Sequence, residues 1–599
     1  MKSLRRRPLT SLAFALAALG GAQPWQAMTG AAAAAQQIAA PAEPTPVPAV
    51  ATPTSILELQ PFRQSASSNL ALDNGLSGTA TLINLNPTIN AWYLLRVLWR
   101  DGSQSSYHLE NPQPRAQSLA LNPRHPEVVE LLRGNSRESC KLLGDGTNGP
   151  LAEASKSHLP YASLCEGRLF LRNPVKGHVT RLEAEAEFVR NQVWGGEKIT
   201  VIFHHLLEDT HREAGELRAA AAQNPGAVAP AIEDAPIPAL VDPKYADRVL
   251  TPSGLGLALE TAPGAVRPGV WYAARDNPGV YVSLIEPEVI DETILESHKG
   301  AINTLDSVEA GSLCYLVAFD LDRFDLGYAL GTEHPSVEWS DHIQPAMRDP
   351  KLAGPDGFGT ISPLVSTGVI NPETARITVA TFAGGFKRMH GAFKYGPLAT
   401  VNHGSHYGFL ENGVVFSRLQ PQLATVFVLD DGSVRLKSWE AQDDQLLPRI
   451  RYARQNGVPL VEFDERSQAT VPGHWVNQWG PGNWSGSEEV KLRTLRAAMA
   501  SQETSRKHFL IYAVFSDATP SAMARVFQAY RCRYAMHLDM NALEHSYLAL
   551  YRRSGSQLVV EYLIDGMSEV DKMNSGGTVP RFLGYPDNRD FFFITRRGQ

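Results

Sequence analysis

Apolar positions along the chain follow two periods, and both occur in one short stretch near the C-terminus. Residues 519–530 (TPSAMARVFQAY) carry Met523, Val526, Phe527 and Tyr530 at helical spacing behind Thr519 and Pro520. That is the cap, proline start and apolar stripe of a helix. Residues 531–540 (RCRYAMHLDM) then read as a strand that ends on Asp539, so its carboxylate stands at the rim of a core. Asn541, Glu544, His545 and Ser546 follow at once. Such a polar group can bind a sugar, a phosphate or a metal.

Read from its start, the chain changes character several times. From 55 to 213 short apolar runs alternate with turn signals: TATLINL, AWYLLRVLWR followed by DGS, RLFLRNP and KITVIFHHLLE. This predicts a β-rich domain with a helix at 126–133. The segment 177–193 (GHVTRLEAEAEFVRNQV) fits helix and strand equally. Beyond 246 come long strands (GVWYAARDNPGVYVSLIEP, SLCYLVAFDLDRFDLGYALG), an apolar ITVATFAGGF, a hairpin-like YGFLENGVVFSRL, and TVFVLDDGSVRLKSW turning at Asp431–Gly432. Helices are predicted at 446–456 and 491–500, and a strand over HFLIYAVFS. The expected class is α+β, a mixed α/β C-terminal domain over 246–599 preceded by the β-rich domain over 55–213.

Composition adds an address. Lys2 and Arg5, Arg6 and Arg7 precede an apolar run over 9–22 and small residues up to 35, the order of a bacterial-type secretory leader. Residues 1–35 are therefore expected to be a signal peptide that directs a periplasmic or secreted protein. Ala/Pro-rich linkers are expected at 36–54 and 214–245. No other segment has enough consecutive apolar residues for a membrane span. The net charge is −7, and the leader's uncompensated cations make the remainder more acidic still, which argues against a nucleic-acid partner.

The four cysteines include no CxxC pair, so a cysteine zinc site is not expected. Cys140 and Cys165 lie close together in sequence and are expected to form a disulfide in an oxidising compartment. Cys314 and Cys532 read either as a second bridge or as two buried thiols. His204, His205 and His211 with Glu208 lack the HExxH order, and adjacent strand histidines face opposite sides. They read as polar surface. His390, His403, His406, His474, His537 and His545 crowd the C-terminal region without ligand spacing, so no metal ligands are assigned. The loop HWVNQWGPGNW offers Trp475, Trp479 and Trp484 either as sugar platforms or as buried anchors.

A resemblance gathers several of these features. ATFAGGFKRMHG, with Gly384, Gly385 and Phe386, YGFLENGVVF, ATVFVLDDGSVRLKSW, residues 492–494 and YAMHLDMNALEHS resemble, in that order, the motifs of the phosphodiester glycosidase family. The resemblance covers a little over half the chain, from about residue 270 to the end. It departs at three positions: Ala383 stands where the family has asparagine, and Met540 and Asn541 stand where it has two glycines.

The resemblance implies an exported hydrolase acting on a sugar-phosphate linkage of an envelope or extracellular polysaccharide. The alternative is a catalytically inactive relative that serves as a glycan-binding or envelope interaction module. For the first, Asp539 is the expected carboxylate at the anomeric carbon and His545 an acid–base group, with His390 and His537 as further imidazole candidates. Lys387, Arg388 and Arg493 are the expected phosphate contacts. Gly384 and Gly385 are expected to let the backbone approach the ligand, and Asn541 to touch it. No cofactor is required by this chemistry, and a divalent metal stays open as an alternative.

Overall fold

A computed structural model describes residues 53–73, 75–144, 149–181, 183–184, 234–250, 254–261, 266–333, 336–340, 343–388, 398–399, 406–478, 492–555 and 557–598. These lie in one compact unit. The expected leader, most of both linkers, the cluster of His204, His205, Glu208 and His211, and His390, His403, Trp479 and Trp484 fall outside the described residues.

The fold class differs from the expectation. The described residues are 40% strand and 15% helix, and the named strand pairings are antiparallel, so the fold is predominantly β rather than α+β. Three predicted helices account for much of the difference, because each is mostly strand. Val128–Arg133 pairs with strands on both sides, Ile450–Gln455 follows a short 3-10 turn, and Thr494–Glu503 runs through the centre of the largest sheet. The last is buried along nearly its whole length. A strand covered on both faces does not alternate in polarity, and its apolar residues then fall at helical as well as strand spacing.

That largest sheet orders Tyr272–Ala273, Val280–Ile285, Cys314–Asp320, His508–Ala518, Thr494–Glu503, Tyr534–Met540, Pro459–Asp464 and Ala469–Pro472. One face packs on a five-stranded sheet through Phe382, which lies 4.7 Å from the Tyr512 ring and 6.5 Å from Phe319. The order of that second sheet is Phe324–Ala329, Phe591–Arg596, Thr378–Ala383, Leu548–Ser554 and Gln557–Tyr562. A third sheet of five strands contains Phe409–Glu411 and Ala424–Leu429 on either side of Ile450–Gln455. The other face of the first sheet carries the helix Pro520–Ala529, capped by Thr519 and buried throughout. Burial of each Val, Phe or Met there contributes about 1.5–3 kcal/mol.

Six strands from the N-terminal part, Gln64–Ala71 to Leu169–Arg172, form their own sheet beside a three-stranded one. Cys140 and Cys165 are joined in a disulfide with a Cα separation of 5.8 Å. Cys314 and Cys532 are free, buried thiols. Buried charges tie this part to the rest: Arg172 pairs with Glu110, lies 3.7 Å from Glu411, and sits over the Trp92 ring. Among the described residues no helix is long and apolar enough to cross a membrane.

Candidate functional site

The C-terminal ends of three strands, one from each C-terminal sheet, meet at one place: Tyr534–Met540, Thr378–Ala383 and Ile450–Gln455. The approach to Phe591–Arg596, residues 587–590 (DNRD), runs across them. Five buried carboxylates (Glu183, Asp539, Glu544, Asp587, Asp590) face four buried cations (Lys387, Arg454, Arg581, Arg589). Ions out of water persist only when paired and hydrogen-bonded, and the pairing here is dense.

Asp539 sits at the last-but-one position of its strand. Its Oδ2 accepts from Arg589 Nη1 at 2.6 Å and its Oδ1 from the Met540 amide at 2.8 Å. Arg589 reaches on to Glu183 Oε1 at 3.2 Å, an oxygen that Lys387 Nζ (2.6 Å) and Asn588 Nδ2 (3.2 Å) also contact. Burial alone would raise the Glu183 carboxyl, but Arg589 and Lys387 hold it well below the usual range. Asp587 is gripped bidentately by Arg581 at 2.8 and 3.1 Å, and Arg581 also donates to the Glu544 carbonyl.

The two glycines are required by close approach rather than by turn geometry. A methyl on Gly384 would stand 2.6 Å from Asp590 Oδ2, and one on Gly385 2.5 Å from Asn456 Oδ1. Asp590 in turn takes Arg454 Nε at 2.8 Å and the Tyr328 hydroxyl at 2.9 Å. Asn456 accepts from the Phe386 amide at 2.9 Å and donates to the carbonyls of His537 and Leu538 at 2.7 and 2.8 Å. This asparagine therefore fastens the glycine pair to the strand that carries Asp539.

At the strand tip Met540 keeps extended pairing and Asn541 takes the left-handed turn at φ 78°. Asparagine tolerates that region better than other non-glycine residues. Its Oδ1 accepts from Thr494 Oγ1 at 3.0 Å. His545 turns back so that its Nδ1 lies 2.9 Å from the Met540 carbonyl, while its Nε2 lies 3.2 Å from Glu544 Oε1. Glu544 Oε2 accepts from Thr180 Oγ1. Burial would raise the Glu544 carboxyl, yet an imidazolium at His545 and the Thr180 hydroxyl would hold it down at about 2.

Of the residues expected from the sequence, the structure gathers Asp539, His545, Gly384, Gly385, Lys387 and Asn541. It does not gather the other two. Arg493 is half-exposed and pairs with Asp306 at 2.9 Å. Arg388 points away into a second buried cluster, 3.4 Å from Asp356. His406 belongs to that cluster too, with its Nε2 2.9 Å from Asp356 and 2.6 Å from Ser417 Oγ. Acid and hydroxyl share one ring nitrogen there, so the aspartate does not orient the imidazole from its far side as a nucleophile triad needs. His537 is buried under Phe386, and burial together with Arg496 pushes its imidazole well below its ordinary range. It stays neutral near pH 7.

The sequence reading missed Glu183, Arg454, Asn456, Arg581, Asp587, Asn588, Arg589 and Asp590. The run DNRD directly before the apolar FFFIT carried a signal, since a dense polar tip on a strand is the feature that drew attention to Asp539. Glu183 had none, being one acid among several in an ambiguous segment. One donor atom each from Glu183, Glu544 and His545 lie within 4.8 Å of one another, the residues best placed to hold a metal among those described.

No family model and no curated protein sequence matches the chain. Among solved structures the likeness is to a glycosidase and to an exported protein. The first is the zebrafish N-acetylglucosamine-1-phosphodiester alpha-N-acetylglucosaminidase catalytic domain auto-inhibited by its pro-peptide. It is 10% identical over 61% of this chain and 95% of that one, with a TM-score of 0.26. The second is a putative exported protein from Burkholderia pseudomallei K96243, 11% identical over 48% and 74% of the two chains, with a TM-score of 0.18. These amount to a distant structural relationship, and at such scores they assign no role to any residue.

Proposed function

We propose that this protein is an exported hydrolase of phosphodiester glycosidase type, cleaving a sugar-phosphate linkage in an envelope or extracellular glycopolymer. The observation that carries the reading is the convergence of Asp539 with Arg589, Lys387 and the Gly384–Gly385 backbone. Such chemistry passes through an oxocarbenium-like state with a phosphate monoester leaving. Asp539 supplies negative charge toward the anomeric carbon. Arg589 and Lys387 supply positive charge toward the phosphate, Arg589 with the planar fork that suits phosphate oxygens. The glycines let Asp590 and Asn456 close against this backbone and so hold it beside the Asp539 strand. The leaving phosphate is already a weak base, so protonation by His545 is of secondary importance.

One observation favours a second reading, a non-catalytic glycan-binding module. Each of these charges already has an internal partner, Asp539 with Arg589 and Lys387 with Glu183. Substrate must displace those pairs or bind beside them.

The test is sugar release from aryl and nucleotide-linked sugar phosphates by the purified protein, alongside Asp539→Asn. Release by the parent and a loss of at least roughly a hundredfold in the variant are expected, the usual scale for a positioned catalytic group. No release by the parent would sink the hydrolase reading for those substrates. Release unchanged in the variant would remove Asp539 from the chemistry.

A further inference from the structure

The lone pairs beside Asp539 pose a problem that hydrogen bonds within the chain leave unsolved. His545 Nδ1 faces the Met540 carbonyl at 2.9 Å. A carbonyl only accepts, so Nδ1 carries the hydrogen, and the neutral ring then presents a bare lone pair at Nε2. That lone pair faces Glu544 Oε1 at 3.2 Å, and neither atom has a hydrogen-bond partner. Glu183 Oε2 is likewise buried without a partner, in a side chain only 2% exposed. One donor atom from each of these three residues lies within 4.8 Å of the other two.

The remaining atoms of the same side chains are fully engaged. Glu183 Oε1 is held by Lys387, Arg589 and Asn588, Glu544 Oε2 by Thr180, and His545 Nδ1 by Met540. This is the outer-shell support that fixes ligand orientation in metal sites, including the carbonyl behind the imidazole.

We infer that Glu183, Glu544 and His545 bind a first-row divalent transition metal, of the Mn2+ or Zn2+ type. An imidazole beside two carboxylates disfavours Ca2+ and Mg2+, which take oxygen ligands almost exclusively. Tetrahedral bonds of about 2.1 Å place donors about 3.4 Å apart; His545 Nε2 and Glu544 Oε1 already lie 3.2 Å apart, and the Glu183 donor, within 4.8 Å of both, draws in on binding. Net charge does not oppose it: the nearby carboxylates Glu183, Asp539, Glu544 and Asp587 outnumber the cations Lys387, Arg581 and Arg589 by one. Three protein ligands leave coordination positions for water or a substrate oxygen. The site rests on binding alone and stands whether or not the protein hydrolyses sugar phosphates.

The competing resolution is a proton, with His545 as an imidazolium paired to Glu544, and the test separates the two. Full-length protein is stripped with chelator and titrated with Mn2+ and with Zn2+ by calorimetry. About one ion per chain is expected, with affinity falling at least roughly tenfold in Glu544→Gln and His545→Ala and also in the outer-shell variant Thr180→Val. Thermal melts of the metal-free variants establish that they fold. Spin-echo spectroscopy on Mn2+-loaded wild type needs no variant, and modulation from an imidazole nitrogen is expected. Failure to bind either ion, affinity unchanged in both ligand variants, or bound Mn2+ without nitrogen modulation would each overturn the metal and leave the imidazolium pair.

Discussion

Gly384 and Gly385 show how a single missing methyl can hold a site together. Asp590 and Asn456 occupy the space where a β-carbon would go, at 2.6 and 2.5 Å. Gly385→Ala must therefore push Asn456 off the Phe386 amide and the His537 and Leu538 carbonyls. Overpacking of this kind costs about 1–3 kcal/mol, and the urea midpoint of Gly385→Ala should fall accordingly, whereas that of Gly311→Ala, where a methyl meets nothing within 4 Å, should not. Glu544 sets an acid limit. With a protonated His545 paired to it, its folded carboxyl lies at about 2, below its ordinary value near 4.3. The stability it contributes is fully present above that ordinary value and is lost as pH falls toward 2. In Glu544→Gln the acid limb of the unfolding curve should flatten over this window, read by circular dichroism.

The glycine pair, Asp539 and His545 were legible in the sequence because each lies in a short motif at the end of an apolar run. Glu183 and Arg589 were not, because their importance comes from contacts across the fold. Arg493 and Arg388 illustrate the converse: a cation near a motif in sequence is free to turn toward another acid, here Asp306 and Asp356.

At the scale of elements, the helix Pro520–Ala529 and the strands His508–Ala518 and Tyr534–Met540 follow the sequence pattern closely. Thr519→Ala removes the hydroxyl that accepts the Ala522 amide. A capping loss of roughly 1 kcal/mol is expected, measurable as a lower melting temperature. Thr494–Glu503 and Ile450–Gln455 were misread as helices for a common reason. Arg-, Ala- and Leu-rich residues favour helix locally, whereas two hydrogen-bonded neighbours and burial on both faces decide the matter in the folded chain. Pro448 inside the predicted helix was the available warning.

For the molecule as a whole, the junction around Arg172 couples the N-terminal sheet to the rest through buried charge. Glu110 takes the short contact with Arg172, and burial pushes the Glu411 carboxyl up to about 7 despite Arg172 and the Leu330 amide. A raised carboxyl binds its proton more tightly folded than unfolded, so stability declines as pH rises from the ordinary value through 7. Glu411→Gln keeps an acceptor for Leu330 without the charge. Relative to wild type its melting temperature should be higher at pH 8 than at pH 5, and an equal difference at both values would remove Glu411 from the pH response.

Glu183 has a consequence of another kind. It comes from the N-terminal half of the sequence, yet its carboxylate neutralises Lys387 and Arg589 deep among C-terminal strands. The two halves are thus not interchangeable modules. Recombination that brought in a foreign N-terminal region would strand two buried cations unless the newcomer carried an acid to the same spot, so the halves are expected to be inherited together.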